Sequence, residues 1–188
     1  MISTRRHLNA GISSDCSGIR YKWHISRNSN ISRIICSNLC IGLNIIYFDA
    51  PGKINTDAAL TAARERAEAL EINQIVLAST HGYTAKRAAE IFRGMDVSII
   101  AVSICASFDE EGWTMTPEER REIEGEGIRV LTGLHTLGDD VSESFTDSAP
   151  NRVVRETLYR FCQGMKVAVE IALMAADAGM LDISQEAI

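Results

Sequence analysis

At 188 residues, with 46% of them hydrophobic, the chain has the length and apolar content of one globular domain with a core of its own. Its net charge of −6 is unevenly spread: residues 1–43 carry six basic residues (Arg5, Arg6, Arg20, Lys22, Arg27, Arg33) against Asp15 alone, and residues 44–188 carry 13 basic and 24 acidic ones. An acidic body argues against nucleic acid as a partner, because neutralising phosphates takes clustered Lys and Arg. No apolar stretch reaches the roughly 18 residues that a membrane span needs, so no membrane partner is expected.

The chain divides at about residue 44. Residues 1–43 are rich in Ser, Asn and Arg, with only Ile34-Ile35 and Leu39-Cys40-Ile41 apolar. An Arg-rich, Ser-rich, acid-poor segment has the composition of an organellar transit peptide; the plainer reading, a disordered extension, is preferred. The five cysteines, Cys16, Cys36, Cys40, Cys105 and Cys162, form no CxxC pair and are odd in number, which suits reduced thiols in a cytoplasmic protein. Cys36 and Cys40 could share a helix face as half a metal site, but no nearby His or Cys completes a ligand set, and no metal is expected.

From residue 44 onward apolar runs alternate with helical patterns. Residues 44–48 read as a first buried strand, followed by a turn at Ala50-Pro51-Gly52-Lys53. Asn55 or Thr56 suits the N-cap of a helix running to about residue 71, with Ala59, Ala63, Ala67 and Leu70 on one face. Residues 74–79 read as the second strand, 84–93 as the second helix and 97–102 as the third strand. A loop through 108–115 leads to Thr116-Pro117-Glu118-Glu119, a helix start with Pro at its first position, and 128–132 is the fourth strand. Beyond a polar loop at 138–150 come helices from about 152 to 161 and from about 165 to 177. Residues 167–176 are apolar on nearly every face, which predicts burial all round. Strands separated by single helices imply right-handed crossovers, a mostly parallel sheet and an α/β fold.

The segment that bears most on function is Ile75-Val76-Leu77-Ala78-Ser79-Thr80-His81-Gly82-Tyr83-Thr84, where an apolar strand ends in a hydroxyl-rich turn and a helix follows at once. That order puts backbone N–H groups and hydroxyls at the C-terminal end of a strand, facing the positive end of a helix dipole: a ready anion site. The same residues could also do no more than turn the chain and cap the helix, with Gly82 supplying a positive φ. Because this loop belongs at the sheet's rim, substitutions in it are expected to leave the fold intact. Two rival motifs fail. Pro51-Gly52-Lys53 lacks the earlier glycine of a Walker A loop, and Glu124-Gly125-Glu126-Gly127 precedes a strand instead of following one.

The run "VLASTHGYTAKRAAEIFRGMDVSIIAVS" at residues 76–103 resembles the strand-loop-helix-strand of the pyruvate kinase C-terminal domain, in which a Thr/Ser-rich loop holds the phosphate of a sugar-phosphate effector. The likeness is closer to free-standing archaeal and bacterial proteins carrying a pyruvate kinase alpha/beta domain. Those proteins share an opening seen here as Tyr47-Phe48-Asp49-Ala50-Pro51-Gly52-Lys53-Ile54-Asn55-Thr56, and a late block seen here from Gly164 through Lys166-Val167-Ala168-Val169-Glu170-Ile171 to Met174-Ala175-Ala176-Asp177-Ala178-Gly179. The resemblance spans about residues 45–183. It implies a domain over 44–188 with a three-layer α/β/α fold, an FMN-type phosphorylated ligand at the strand ends, and no established reaction. Family members continue past the last block into a further strand and a Gly-rich segment, so the resemblance implies a domain truncated at its C-terminus. Ser103-Ile104-Cys105-Ala106-Ser107-Phe108 and Gly138-Asp139-Asp140-Val141-Ser142 depart from the family pattern, whereas the phosphate loop does not.

The ligand-binding residues expected on these grounds are Ser79, Thr80, His81, Gly82, Tyr83 and Thr84, joined by Asn55, Thr56 and His135. His81 and His135 both fall at the C-terminal edge of the sheet; a general acid/base pair is conceivable, but turn or ligand-bonding roles are the commoner fate, and no catalytic residue is assigned. Lys86, one turn into the helix, either adds charge to the phosphate or is solvated. Glu170 and Asp177 sit on a helix expected to be buried, where bonding to backbone outweighs a ligand role. The expected function is therefore binding of a phosphorylated small molecule, an FMN-like nucleotide or a sugar phosphate, with homo-oligomerisation left open. The alternatives are a flavin-dependent oxidoreductase, in which the protein tunes bound FMN, and a nonfunctional fragment. Pyruvate kinase catalysis is rejected, because the catalytic barrel would need about 200 further residues.

Overall fold

The computed structural model describes residues 45–138 and 149–188. The chain divides after Asp49, and every helix and strand among the described residues lies in the unit Ala50–Ile188.

Three strands, β1 (Gln74–Ala78), β2 (Ser98–Ser103) and β3 (Arg129–Thr132), form a parallel sheet in the order β1-β2-β3. Ile75 lies opposite Ile99, and Ala101 opposite Val130. Each strand is apolar at successive positions because helices cover both faces of the sheet, as parallel pairing through crossover helices requires. The crossovers are α2 (Tyr83–Ile91) and α3 (Pro117–Gly125).

The period-2 alternation of a strand sorts the apolar side chains into two cores. Ile75, Leu77, Ile99, Ala101 and Val130 join Leu60 and Ala67 of α1 (Thr56–Leu70), Ala85, Ala88 and Phe92 of the α2 segment, and Ile123 of α3. Ile100 and Val102, with Val76 and Leu131 against them, meet Ile171, Met174 and Ala175 of α5 (Gln163–Asp177). On that side α4 (Pro150–Tyr159) packs on α5 and has no fully buried residue of its own. Helices on either side of the sheet make three layers, α/β/α. Ala63 and Ala67 of α1 share one core cluster with Ala85, Ala88 and Ala89 of α2, and Arg87 spans the two helices by a fork to both carboxylate oxygens of Asp57, each at 2.8 Å.

Three expectations need correction. Residues 45–48 are not a strand: Ile45, Ile46, Tyr47 and Phe48 are exposed and outside any sheet, and a short apolar run alone does not specify a strand. On α1 the inward stripe runs through Leu60, Ala63 and Ala67, and Ala59 is exposed. The last helix is buried along one stripe only; Ala168 and Leu173 of its apolar run face outward. Residues 139–148 of the expected polar loop, like residues 1–44 with Cys16, Cys36 and Cys40, lie outside the described residues.

The outer edge of β1 takes a main-chain partner from the chain's last residue. The Ile188 N–H donates to the Gln74 carbonyl at 3.0 Å, and the Val76 N–H donates to the Ile188 carbonyl at 2.6 Å, the bonding of a parallel bridge.

Candidate functional site

All three strands end on the same side of the molecule, and at that edge a cavity of about 610 Å³ opens between the sheet and the α4–α5 layer. This is the crevice beyond the carboxyl ends of parallel strands where ligands of open α/β folds bind, and its volume falls within the usual range for small-molecule sites. Ser79 and Thr80 line it after β1, Ser103 at the end of β2, His135 and Gly138 after β3, and Arg155, Tyr159, Lys166 and Glu170 from the helices above.

The loop leaving β1 is built for a close approach of backbone. Gly82, at φ 81°, is the residue before α2 and has no side chain of its own to cap that helix. Ser79 is buried, and its Oγ accepts from the Ala85 N–H at 3.3 Å. The Lys86 N–H returns to the Gly82 carbonyl at 2.9 Å, leaving the N–H groups of Tyr83 and Thr84 without an acceptor among the described residues. Helix starts are where such orphan donors collect. A side chain at position 82 is disfavoured twice over: its Cβ would fall 2.5 Å from Ile123 Cδ1, so the buried Ile123 would have to shift, and the positive φ is itself unfavourable for L-residues. Gly82 is buried against α3, so it is a packing residue as well as a turn residue, and the expectation that the whole loop tolerates substitution fails there.

The charges beside the loop are spent on α3. The His81 Nδ1 lies 3.2 Å from Glu119 Oε2, and Lys86 Nζ lies 2.5 Å from Glu122 Oε2. The Glu122 carboxylate holds Lys86 above its ordinary pKa. Glu119 sits below its ordinary value because the Thr116 N–H, and after it the His81 ring, bond its carboxylate. Any anion at this loop would therefore be held by backbone dipoles and hydroxyls, with little help from Lys86.

The family is decided by a sequence match that spans most of this architecture: the family model described as "Pyruvate kinase, alpha/beta domain" fits residues 57–182, from α1 to just beyond α5. The chain belongs to the pyruvate kinase alpha/beta domain family. Among solved structures it is similar to a pyruvate kinase from Cryptosporidium parvum, at 15% identity and a TM-score of 0.38, over 73% of this chain and 20% of that one. A second structure of Cryptosporidium parvum pyruvate kinase gives 17% identity and a TM-score of 0.37, over 74% of this chain and 21% of the other. This chain thus spans about a fifth of the length of those enzymes. Among its described residues no helix is long and apolar enough to cross a membrane.

Within this pyruvate kinase alpha/beta domain the nine expected site residues fall into three places. Ser79, Thr80 and His135 line the cavity. His81, Gly82, Tyr83 and Thr84 form the turn and first residues of α2, with His81 drawn to Glu119. Asn55 and Thr56 begin α1, where the Asn55 Nδ2 donates to the Ala50 carbonyl at 2.6 Å and does not cap the helix. Lys53 Nζ stands 4.9 Å from the centre of the Tyr83 ring, which brings the start of α1 beside that of α2. His81 and His135 engage different partners, His135 lying 5.8 Å from the Phe108 ring. Of the two weighed acids, Glu170 is buried and Asp177 is exposed.

Sequence reading passed over much of the wall. Phe108 and Trp113 stack with centroids 5.6 Å apart and planes 13° from parallel, making an aromatic side to the cavity. Lys166 is buried and paired to Glu170 one turn along α5. The signal for that pair was present, a Lys and a Glu four residues apart inside an apolar run.

Proposed function

We propose that this domain binds a phosphorylated small molecule at the C-terminal edge of its sheet, with the phosphate at the turn 79–84 and the rest of the molecule in the adjoining cavity. The carrying observation is that Ser79 and Thr80 belong at once to the loop entering α2 and to the wall of the cavity of about 610 Å³. Orphan N–H groups at Tyr83 and Thr84, the positive end of the α2 dipole, and hydroxyls on Thr80 and Thr84 supply what a phosphate needs. The Phe108–Trp113 stack suits a flat ring, and FMN is the ligand of this type that the family resemblance suggests. No reaction is part of the proposal.

Titration calorimetry with FMN, riboflavin and inorganic phosphate tests it. On this reading the parent protein should bind FMN more tightly than riboflavin. A hydrogen bond to a charged group contributes about 1.5–3 kcal/mol, so Thr84→Ala should weaken FMN by roughly tenfold to a hundredfold while leaving riboflavin unchanged. Equal affinity of the parent protein for FMN and riboflavin would sink the phosphate reading.

A further inference from the structure

The wall opposite the phosphate loop contains a buried ion pair that the fold does not require. Lys166 and Glu170 are 6% and 4% exposed, and they lie on the stripe of α5 that faces the sheet, where the neighbouring positions are Ile171, Met174 and Ala175. Burying two charges costs more than an apolar pair of similar volume would, so stability alone gives no reason for them. Glu170 is held from two sides: Oε1 accepts from the Leu137 N–H at 3.1 Å, and Oε2 from Lys166. Lys166 is held from one. Its ammonium carries three N–H donors; among the described residues one goes to Glu170, and the Tyr159 ring lies 5.8 Å from Nζ as a cation–π neighbour. A buried ammonium with donors left over is costly unless an acceptor meets them. Both residues line the cavity.

We infer that Lys166 is the second anchor of the cavity ligand, and that it takes a neutral carbonyl oxygen carried on a flat ring, not a second phosphate. The inference rests on the reading that this cavity holds a phosphate monoester, and it names that ligand's other end. Charge decides between the two oxygen types. Lys166 and Glu170 are neutral as a unit, and Arg155 on the same wall has Glu156 at 3.4 Å. A second phosphate would meet the Glu170 carboxylate at the same point where it met the ammonium. A ring carbonyl accepts from Lys166 without facing that repulsion, and the stacked Phe108 and Trp113 offer its ring an apolar surface. Glu170 acts through Lys166, as the residue that positions it.

Calorimetry on the full chain tests this with riboflavin, FMN, inorganic phosphate and fructose 1,6-bisphosphate. Lys166→Met should weaken FMN and riboflavin alike, by about tenfold to a hundredfold, and leave inorganic phosphate unchanged. Because Lys166→Met strands a buried carboxylate, the double variant Lys166→Met/Glu170→Leu, which removes both charges, carries the same expectation with the fold retained. Fructose 1,6-bisphosphate should bind the parent more weakly than FMN. The proposal is overturned if the parent binds neither flavin, if the bisphosphate outcompetes FMN, or if the folded double variant binds FMN as the parent does. Equal parent affinity for riboflavin and FMN, with the loss on removing Lys166 intact, would instead overturn the phosphate reading and leave this one standing.

Discussion

The two faces of the sheet are made from alternate residues of the same strands, yet they do different work. On one face Ile75, Leu77, Ile99, Ala101 and Val130 meet three helices, and the contact closes into a core that includes the wholly buried Ile123. On the other, Ile100 and Val102 meet α5 at the core, with Met180 and Leu181 beyond it, and toward the strand ends the layers part to leave the cavity with its Lys166–Glu170 pair. A parallel sheet needs cover on both faces, but the cover need not be equally tight. The domain keeps its stability on the α1–α2–α3 side and its concavity on the α4–α5 side.

The largest expected effect breaks the closed face. Ile123→Ala removes one of the largest fully buried side chains, at 0% exposure, so the loss should lie toward the upper end of the range for such truncations, at about 3–5 kcal/mol. Met174→Ala, at 5% exposure beside an existing cavity, should cost less, about 2–3 kcal/mol. Chemical denaturation of both variants checks the order, and equal losses would deny that the faces differ in packing.

Next in size is Gly82→Val. It forces a β-branched residue to φ 81° and drives its Cβ into Ile123, an overpacking cost of about 1–3 kcal/mol. The same loss should appear with no ligand present, read as a lowered melting temperature. A Gly82→Val protein as stable as the parent would mean that α3 can shift away from the loop, and that the closed face is looser than its packing indicates.

These two positions also mark how far the sequence could be read. Periodicity was enough for β1, β2, β3 and the order of helices, because each strand's apolar run and each helix's stripe are local properties. The start of α3 was legible to the residue, since a Thr with Glu three places on and Pro between them is a self-contained cap. The positive φ of Gly82 could be inferred from its turn; its contact with Ile123, 41 residues away in sequence, could not. The cavity was half visible. Ser79 and Thr80 stand next to a strand end, but Phe108, Trp113, Tyr159 and Lys166 reach the wall from separate segments. Residues 45–48 misled because a short apolar run does not by itself tell a strand from an exposed segment.

The smallest effect is electrostatic and sits on the rim of the closed face. The Thr116 Oγ1 accepts from the Glu119 N–H at 3.2 Å and the Glu119 carboxylate accepts from the Thr116 N–H at 2.8 Å, a reciprocal cap, while the same carboxylate meets His81. These bonds favour the charged carboxylate, so Glu119 titrates below its ordinary value of 4.5 in the folded protein. A folded pKa below the unfolded one means that the unfolded chain takes up the proton first on acidification. The contribution is therefore fully present above about pH 4.5 and is lost as the pH falls through the lower, folded value. Glu119→Gln keeps an oxygen that can accept from the Thr116 N–H but removes the titration, so its stability at neutral pH should change by only a few tenths of a kcal/mol. Thermal melts of the parent and Glu119→Gln from about pH 7 down to about pH 3 should then converge on the acid side, with the parent losing more. If the two fall in parallel, the acid-labile carboxylates lie elsewhere, at Asp57 beside Arg87 or Asp182 beside Ser184, both also held below their ordinary range.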